Sequence, residues 1–576
     1  MYTSDRKSRK GTKSSQATVR RKGMRGGTPK NRYLLEQSAE SVGMSSKKLK
    51  LSKNEYDIDY DSTFGYRLLC FASVFSALSE VLVCHTCHKP VKFTEANKQG
   101  LGFKIVISCE ACEPVHINSC PKINNKAYEV NRRMVLAMRL LGIGLNGIKK
   151  FCAFMDLPQP IFQKSYDEII KTFREVSESV CSFSMKNAAQ QEKIKSVEKG
   201  ENNGITVSGD GSWRRRGFSS LFGVVSLIGW FSGKVVDVLV KSKFCKTCLH
   251  WKSKENTAEY KEWKKNHEST CEANHEGSAG KMEVDAATEM FARADEKNGV
   301  SYINYIGDGD CKTFKAIIEQ NPNIKKKECI DHVQKRMGTR LRKLVSNTKG
   351  LSGRGKLTGK LIDELSIYYG LAIRRHCNSI EDMKKAIWAT LYHKISTDEK
   401  PQHHFCPEGP KSWCAWQLQK AIMGNTNEFK HNPAMSNEVF KAIKPVYEEL
   451  SRDDLLSRCL GGFTQNSNES LNSLVWSMAP KSSSSDKSVL DIAVNLAVLY
   501  FNDGFFGIMQ VMKQMGISIG LSCYNFCSKA ARIAQSERSL SVEAREARST
   551  SLSSRKDEEH KNLNLEGQLY GPGIAD

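Results

Sequence analysis

The chain contains no apolar run of the roughly 20 residues that a membrane-spanning helix needs, so no membrane partner is expected. Its opening residues are polar and basic and lack the apolar segment of a secretory signal, so export is not expected either. Acidic residues are in deficit, 63 Asp and Glu against 87 Lys and Arg, which leaves a formal net charge of +24. The corresponding pI is near 9.2. A balance this basic points to a polyanionic partner, most simply nucleic acid. What is present is ample: 576 residues, enough for several domains, 39% hydrophobic, with 19 cysteines. Several cysteines form Cys-x-x-Cys pairs with histidines nearby, which in a chain without a secretory signal suggests zinc rather than disulfides.

Residues 1–60 form a basic, Ser/Gly-rich tail with clusters such as Arg6-Lys7 and Arg20-Arg21-Lys22 and no apolar periodicity. Disorder is expected there, and the clusters suit nuclear import or phosphate contact, hence a nuclear location. In residues 61–125, Cys84, Cys87, Cys109 and Cys112 flank a hairpin-like stretch, the pattern of a zinc ribbon with four thiolates. Residues 126–200 read as helical. Met134, Leu136, Met138, Leu140 and Leu141, then a turn at Gly142, Gly144 and Gly147, then Ile148, Phe151 and Phe154, outline either a DNA-binding helix-turn-helix or an ordinary packed helical pair.

Residues 201–345 begin with a predicted three-strand meander over 205–208, 221–230 and 234–240. It runs into a zinc knuckle (241–280) with ligands Cys245, Cys248, His267 and Cys271. His275 is a substitute for His267, because the last three positions are four apart and could share a helix face. A helix over 286–298 precedes the stretch Ser301–Phe314. There Tyr302, Ile303, Tyr305 and Ile306 predict a strand ending at Asp308 and Asp310, and Phe314, Ile317 and Ile318 predict a helix. Carboxylates at a strand tip suit a hard divalent cation such as Mg²⁺. Residues 328–333 read as a short strand or strand end carrying Cys329 and His332. These two could join His403 and Cys406, from a helical insertion over 346–455, in a third zinc site, the alternative being buried core thiols. In residues 456–530, Asn466, Glu469 and Asn472 recur three apart on a helix whose buried side is Leu471, Leu474 and Val475. Asn466 or Ser467 is its expected cap. Residues 482–485 read as a flexible loop, 490–506 as an apolar helix and 531–576 as a polar C-terminal tail.

This order is a three-strand meander, helix, strand, helix, strand and a last helix bearing an acid. It predicts the α/β fold class, a ribonuclease H-like core with a helical insertion, preceded by a zinc ribbon and a helical domain. At the motif level residues 65–525 resemble the Mutator-like element transposases of the DDE superfamily. The resemblance is carried by Gly209-Asp-Gly-Ser-Trp213, Gly307-Asp-Gly-Asp-Cys-Lys-Thr-Phe314, Cys329-x-x-His332 and Asn466-x-x-Glu469-x-x-Asn472. It implies a catalytic triad of Asp210, Asp308 and Glu469, with Asp310 as the alternative to Asp308. Such a triad would hold two Mg²⁺ or Mn²⁺ ions about 3.5–4 Å apart for in-line attack on a phosphodiester. Arg214 to Arg216 and Lys335 to Arg342 would contact phosphates. The implied partners are double-stranded DNA, as terminal inverted repeats and target DNA, and further copies of the chain in a homo-oligomer. The alternative is a domesticated, catalytically inactive protein that binds zinc and DNA in the nucleus.

Overall fold

The computed structural model describes residues 58–539, apart from 216–219, 309–310, 354, 411, 427 and 483–484. The basic tail up to residue 57, Arg216, Asp310, the middle of the 482–485 loop and the polar end beyond 539 lie outside the described residues.

The described chain opens with helix α1 (Phe71–Val81) and an antiparallel sheet of β1 (Lys92–Gln99), β2 (Gly102–Ser108) and β3 (Val115–Asn118). A two-residue ladder, β4 (Lys122–Ile123) with β5 (Ala127–Tyr128), leads into α2 (Glu129–Leu140), α3 (Leu145–Phe154) and the long α4 (Gln163–Glu198). The expected turn at Gly142 and Gly144 separates α2 from α3. Val135, Leu136, Leu145, Ile148 and Cys152 face inward to the main core, so the two helices pack as a pair.

The central sheet holds β6 (Ile205–Trp213), β7 (Phe222–Gly229), β8 (Val235–Ser242), β9 (Tyr302–Gly307) and β10 (Lys325–Glu328), in the order β10-β9-β6-β7-β8. β6, β7 and β8 form the antiparallel meander, β9 runs parallel to β6, and β10 parallel to β9. Every residue of β7 is buried, because helices cover both faces of the sheet. Phe222 and Val224 enter one core with α4, and Val225 and Leu227 enter the other. Between β8 and β9 lie α5 (Lys246–Trp251), α6 (Ala258–His267), α7 (Ala279–Ala292) and α8 (Ala294–Asn298). The helix expected over 286–298 starts earlier and breaks at Arg293 (φ −95°, ψ 2°).

α9 (Cys311–Gln320) connects β9 to β10, and α10 (Ile330–Asn347) follows β10. The strand expected over 328–333 is therefore corrected: Cys329 is the residue before α10, and His332 sits in its first turn. The helical insertion comprises α11 (Gly359–Arg375), α12 (Ile380–His393), α13 (Ala415–Met423), α14 (Asn437–Leu450) and α15 (Asp453–Cys459). It has its own core, which includes Ile330, Val333, Met337 and Leu341 of α10 and so begins before residue 346. α16 (Asn466–Met478) returns to the sheet, followed by α17 (Lys487–Asp503), α18 (Phe505–Gln514) and α19 (Leu521–Ser539). The single helix expected over 490–506 is split at Gly504, whose φ of +67° a side chain would rarely tolerate.

The first strand, expected over 205–208, is longer: β6 continues through Gly209, Asp210 and Gly211 to Trp213, paired with Gly223 of β7. Glycine is needed for space, not for turning: a Cβ at Gly209 would lie 2.4 Å from the Tyr305 ring. Asp210 thus projects from inside a strand.

Candidate active site and metal centres

Ser208 of β6 pairs with Ile306 of β9; Asp210 lies two residues beyond Ser208 in β6, and Asp308 is the residue that follows β9. Helix α16 then lies along β6 with matched spacing. Four residues of helix advance about 6.0 Å and two residues of strand about 6.6 Å. Asn468, Asn472 and Trp476 accordingly meet Ser208, Asp210 and Ser212 in turn. Ser208 Oγ donates to Asn468 Oδ1 (2.7 Å), Asn472 Nδ2 donates to Asp210 Oδ2 (2.7 Å), and Trp476 Nε1 donates to Ser212 Oγ (2.7 Å). Glu469 is exposed beside this contact row, three residues before Asn472.

The electrostatics follow from this packing. Burial pushes the Asp210 carboxyl up to about 6 against a carboxylate's usual 3.8, and the nearby Glu469 charge adds to that. His332, the Gly211 N–H and Asn472 act the other way. The Cys329 thiol, as hydrogen-bond partner, and the charge of Asp308 raise His332 to about 9 despite its partial burial, so it is an imidazolium at neutral pH. Its Nδ1 lies 3.7 Å from Asp308 Oδ1 and donates to Gln465 Oε1 at 2.9 Å. Gln465 Nε2 in turn donates to Gly209 O at 2.6 Å. One buried amide therefore ties the strand of the first acid, the histidine beside the second and the helix of the third.

Gln465 and Asn468 were not singled out from the sequence, where they are two amides in the run Gln465-Asn-Ser-Asn-Glu469. The expected caps do not form: the residue before α16 is Gln465, and no side chain caps the helix. Asn468 is fully buried, and its Nδ2 also donates to Ser208 O and to Ser226 O and Oγ. Asn468→Ala, which leaves these partners unpaired, is expected to cost about 3 kcal/mol. Asn466→Ala, at an exposed position, should stay within about 0.5 kcal/mol. Chemical denaturation of the two variants side by side checks this.

Of the expected phosphate contacts, Arg336, Arg340 and Arg342 pair with Glu328, Glu449 and Asp363. Arg214 Nη1 donates to Ser485 O at 2.8 Å.

Among the described residues, three groups bring four Cys or His donor atoms within 4.8 Å of one another, and each could hold a metal ion. Asp210, Asp308 and Glu469 are not among them. The first group is Cys84, Cys87, Cys109 and Cys112. Its sulfurs approach to 3.9 Å (Cys84–Cys112) and 3.6 Å (Cys87–Cys109). A tetrahedral zinc with bonds of about 2.3 Å has an edge of about 3.8 Å, so the donor set fits. Backbone N–H groups of Cys87 and Thr86 draw the Cys84 thiol down to about 6, toward the thiolate that zinc requires.

The second group is Cys245, Cys248, His267 and Cys271, with Cys245 Sγ 3.3 Å from His267 Nε2 and Cys248 Sγ 3.5 Å from Cys271 Sγ. The shared helix face is corrected: α6 ends at His267, and Cys271 is in extended backbone. His275 lies elsewhere, its Nε2 3.1 Å from Ser278 O and its Nδ1 3.3 Å from Asp285.

The third group corrects the set Cys329, His332, His403 and Cys406. His403 and Cys406 assemble with His393 and Cys414 instead. Cys329 and His332 remain at the start of α10 beside Asp308, held there by the sheet.

No helix among the described residues is long and apolar enough to cross a membrane. A family model described as Mutator-like transposase matches residues 65–414. No curated protein matches the chain.

Proposed function

Because the chain belongs to the Mutator-like transposase family, we propose that it is a DDE transposase, catalysing metal-dependent cleavage and strand transfer of double-stranded DNA at element ends. What supports this reading is that Glu469 and His332, which lies 3.7 Å from Asp308, both act on the Asp210 carboxyl although all four are far apart in sequence. The sheet order, an antiparallel meander with two parallel strands added beside its first strand, supports a ribonuclease H-like core. All three acids are present, which favours an active enzyme over a domesticated copy.

The donor set suits Mg²⁺ or Mn²⁺, being three carboxylates, one half-buried and two exposed. Bound there, divalent ions would activate the attacking oxygen and stabilise the leaving one. The protein's own part is positioning. Asn472 fixes the Asp210 carboxylate, the His332 imidazolium holds Asp308, and Gln465 locks both to α16. The basic tail would direct the protein to the nucleus, and pairing of two element ends would require a homo-oligomer. Cleavage of a duplex carrying the element's terminal inverted repeat, with and without Mg²⁺, tests the reading. Intact folded protein that never cuts would overturn it.

A pH dependence follows. Asp210 is protonated below pH about 6, and a proton there competes with a cation. Mg²⁺ stabilisation should therefore be full near pH 8 and weaken by about tenfold in affinity per pH unit below 6. Thermal shifts with added Mg²⁺ across pH 5–8 measure it, and a shift unchanged at pH 5 would contradict it.

A further inference from the structure

We propose that the excursion between α12 and α14 is a third zinc module, with His393, His403, Cys406 and Cys414 as ligands and a supporting relay through His431 to Asp398. Residues 394–436 leave the helical insertion with, among the described residues, only α13 as regular helix. They return where Met435 N donates to Lys394 O at 2.7 Å. The excursion's own apolar cluster is small: Ala389, Cys406 and Cys414, with Phe405, Trp413 and Trp416 packed on it. A segment this long with so little core needs another constraint.

The donors supply it. His403 Nδ1 lies 3.7 Å from Cys406 Sγ and 3.4 Å from Cys414 Sγ, and His393 Nδ1 lies 3.8 Å from Cys406 Sγ. These are the edges of a tetrahedron about one ion, from ligands on the end of α12, the loop and the residue before α13. His403, Cys406 and Cys414 are at most 3% exposed. Four protein ligands leave no open position, so the site is structural.

The hydrogen bonds behind His403 set its tautomer. Asp398 Oδ1 accepts from His431 Nδ1 (2.7 Å) and from His431 N (2.8 Å), and His431 Nε2 lies 2.9 Å from His403 Nε2. Asp398 Oδ1 accepts from His431 Nδ1, which leaves His431 Nε2 to accept from His403 Nε2–H in the tautomer that frees His403 Nδ1. The free lone pair of His403 is then on Nδ1, aimed at the two thiols. A metal-bound histidine is oriented in this way by its second nitrogen. His404, adjacent in sequence, instead packs on Phe405 and Tyr392.

The experiment is metal analysis of the full-length chain by native mass spectrometry. Cys406→Ser/Cys414→Ser should carry one zinc fewer than the parent, and His431→Phe should release one zinc to a chelator about 10–100 times more readily. An unchanged zinc count in the double variant would overturn the site. Should that variant fail to fold, the parent still decides: Cys406 and Cys414 must become alkylated on adding a zinc chelator, and labelling indifferent to chelator would refute the module. Neither readout depends on DNA cleavage.

Discussion

Asp308→Asn should lower Mg²⁺-dependent cleavage by about 10³-fold or more while leaving the fold intact, and Glu469→Gln should do the same. Both side chains are exposed, so their loss removes no packing. Each neutral amide keeps the shape and loses the charge that holds a cation. Asp210→Asn separates function from stability. The burial that raises the Asp210 carboxyl to about 6 disfavours its ionised form in the folded state. Above pH 6 that ionised form burdens the fold, and below pH about 4 the burden is gone. The variant should therefore be inactive, yet more stable than the parent in metal-free buffer at pH 8, by up to about 3 kcal/mol. Cleavage assays paired with denaturation curves check both halves. If Asp308→Asn and Glu469→Gln cut like the parent, the triad is wrong.

Stripping zinc from the Cys84, Cys87, Cys109 and Cys112 group is expected to unfold the ribbon outright. The sheet of β1, β2 and β3 has almost no interior: β3 is exposed along its length, and α1 buries no residue. Aromatic contacts such as Phe75 on Phe93 are too few to hold three strands. The metal would supply the remainder, about 10 kcal/mol or more in small zinc modules. Hydrogen exchange should show residues 84–118 losing protection after chelation, or in Cys109→Ser, while β6 to β8 keep theirs. Full protection of the ribbon without metal would show that its strands hold themselves.

Elements with strong local periodicity were legible from the residues. The meander, β9 with its following helix, and α11 and α12 carry their apolar residues at strand or helix spacing, and local spacing survives whatever packs against it. The two knuckles were legible for a similar reason, since Cys-x-x-Cys presents two thiolates from a single turn. Where neighbours outweighed local preference, the expectation failed. The first strand was expected to end at Ser208, but the β7 ladder keeps it extended to Trp213. Cys329 and His332 had the spacing of a zinc pair, but β10 and α10 hold them at the acids. His393 and Cys414 lie outside any short motif and become neighbours of His403 and Cys406 only through the turn after α12.

The sequence by itself determined the basic charge, the metal-ligating residue types and much of the order of strands and helices, which are properties of composition and near-neighbour spacing. The choice of Asp210, Asp308 and Glu469 as the acids to watch came from the motif resemblance. Tertiary structure alone decided which Cys and His donors come together, that His275 stands apart from the knuckle, and that Gln465 and Asn468 bind α16 to β6. The last of these depends on contacts between residues hundreds of positions apart, such as Asn468 with Ser208, and an amide's spacing along the chain carries no mark of the distant carbonyl it will meet.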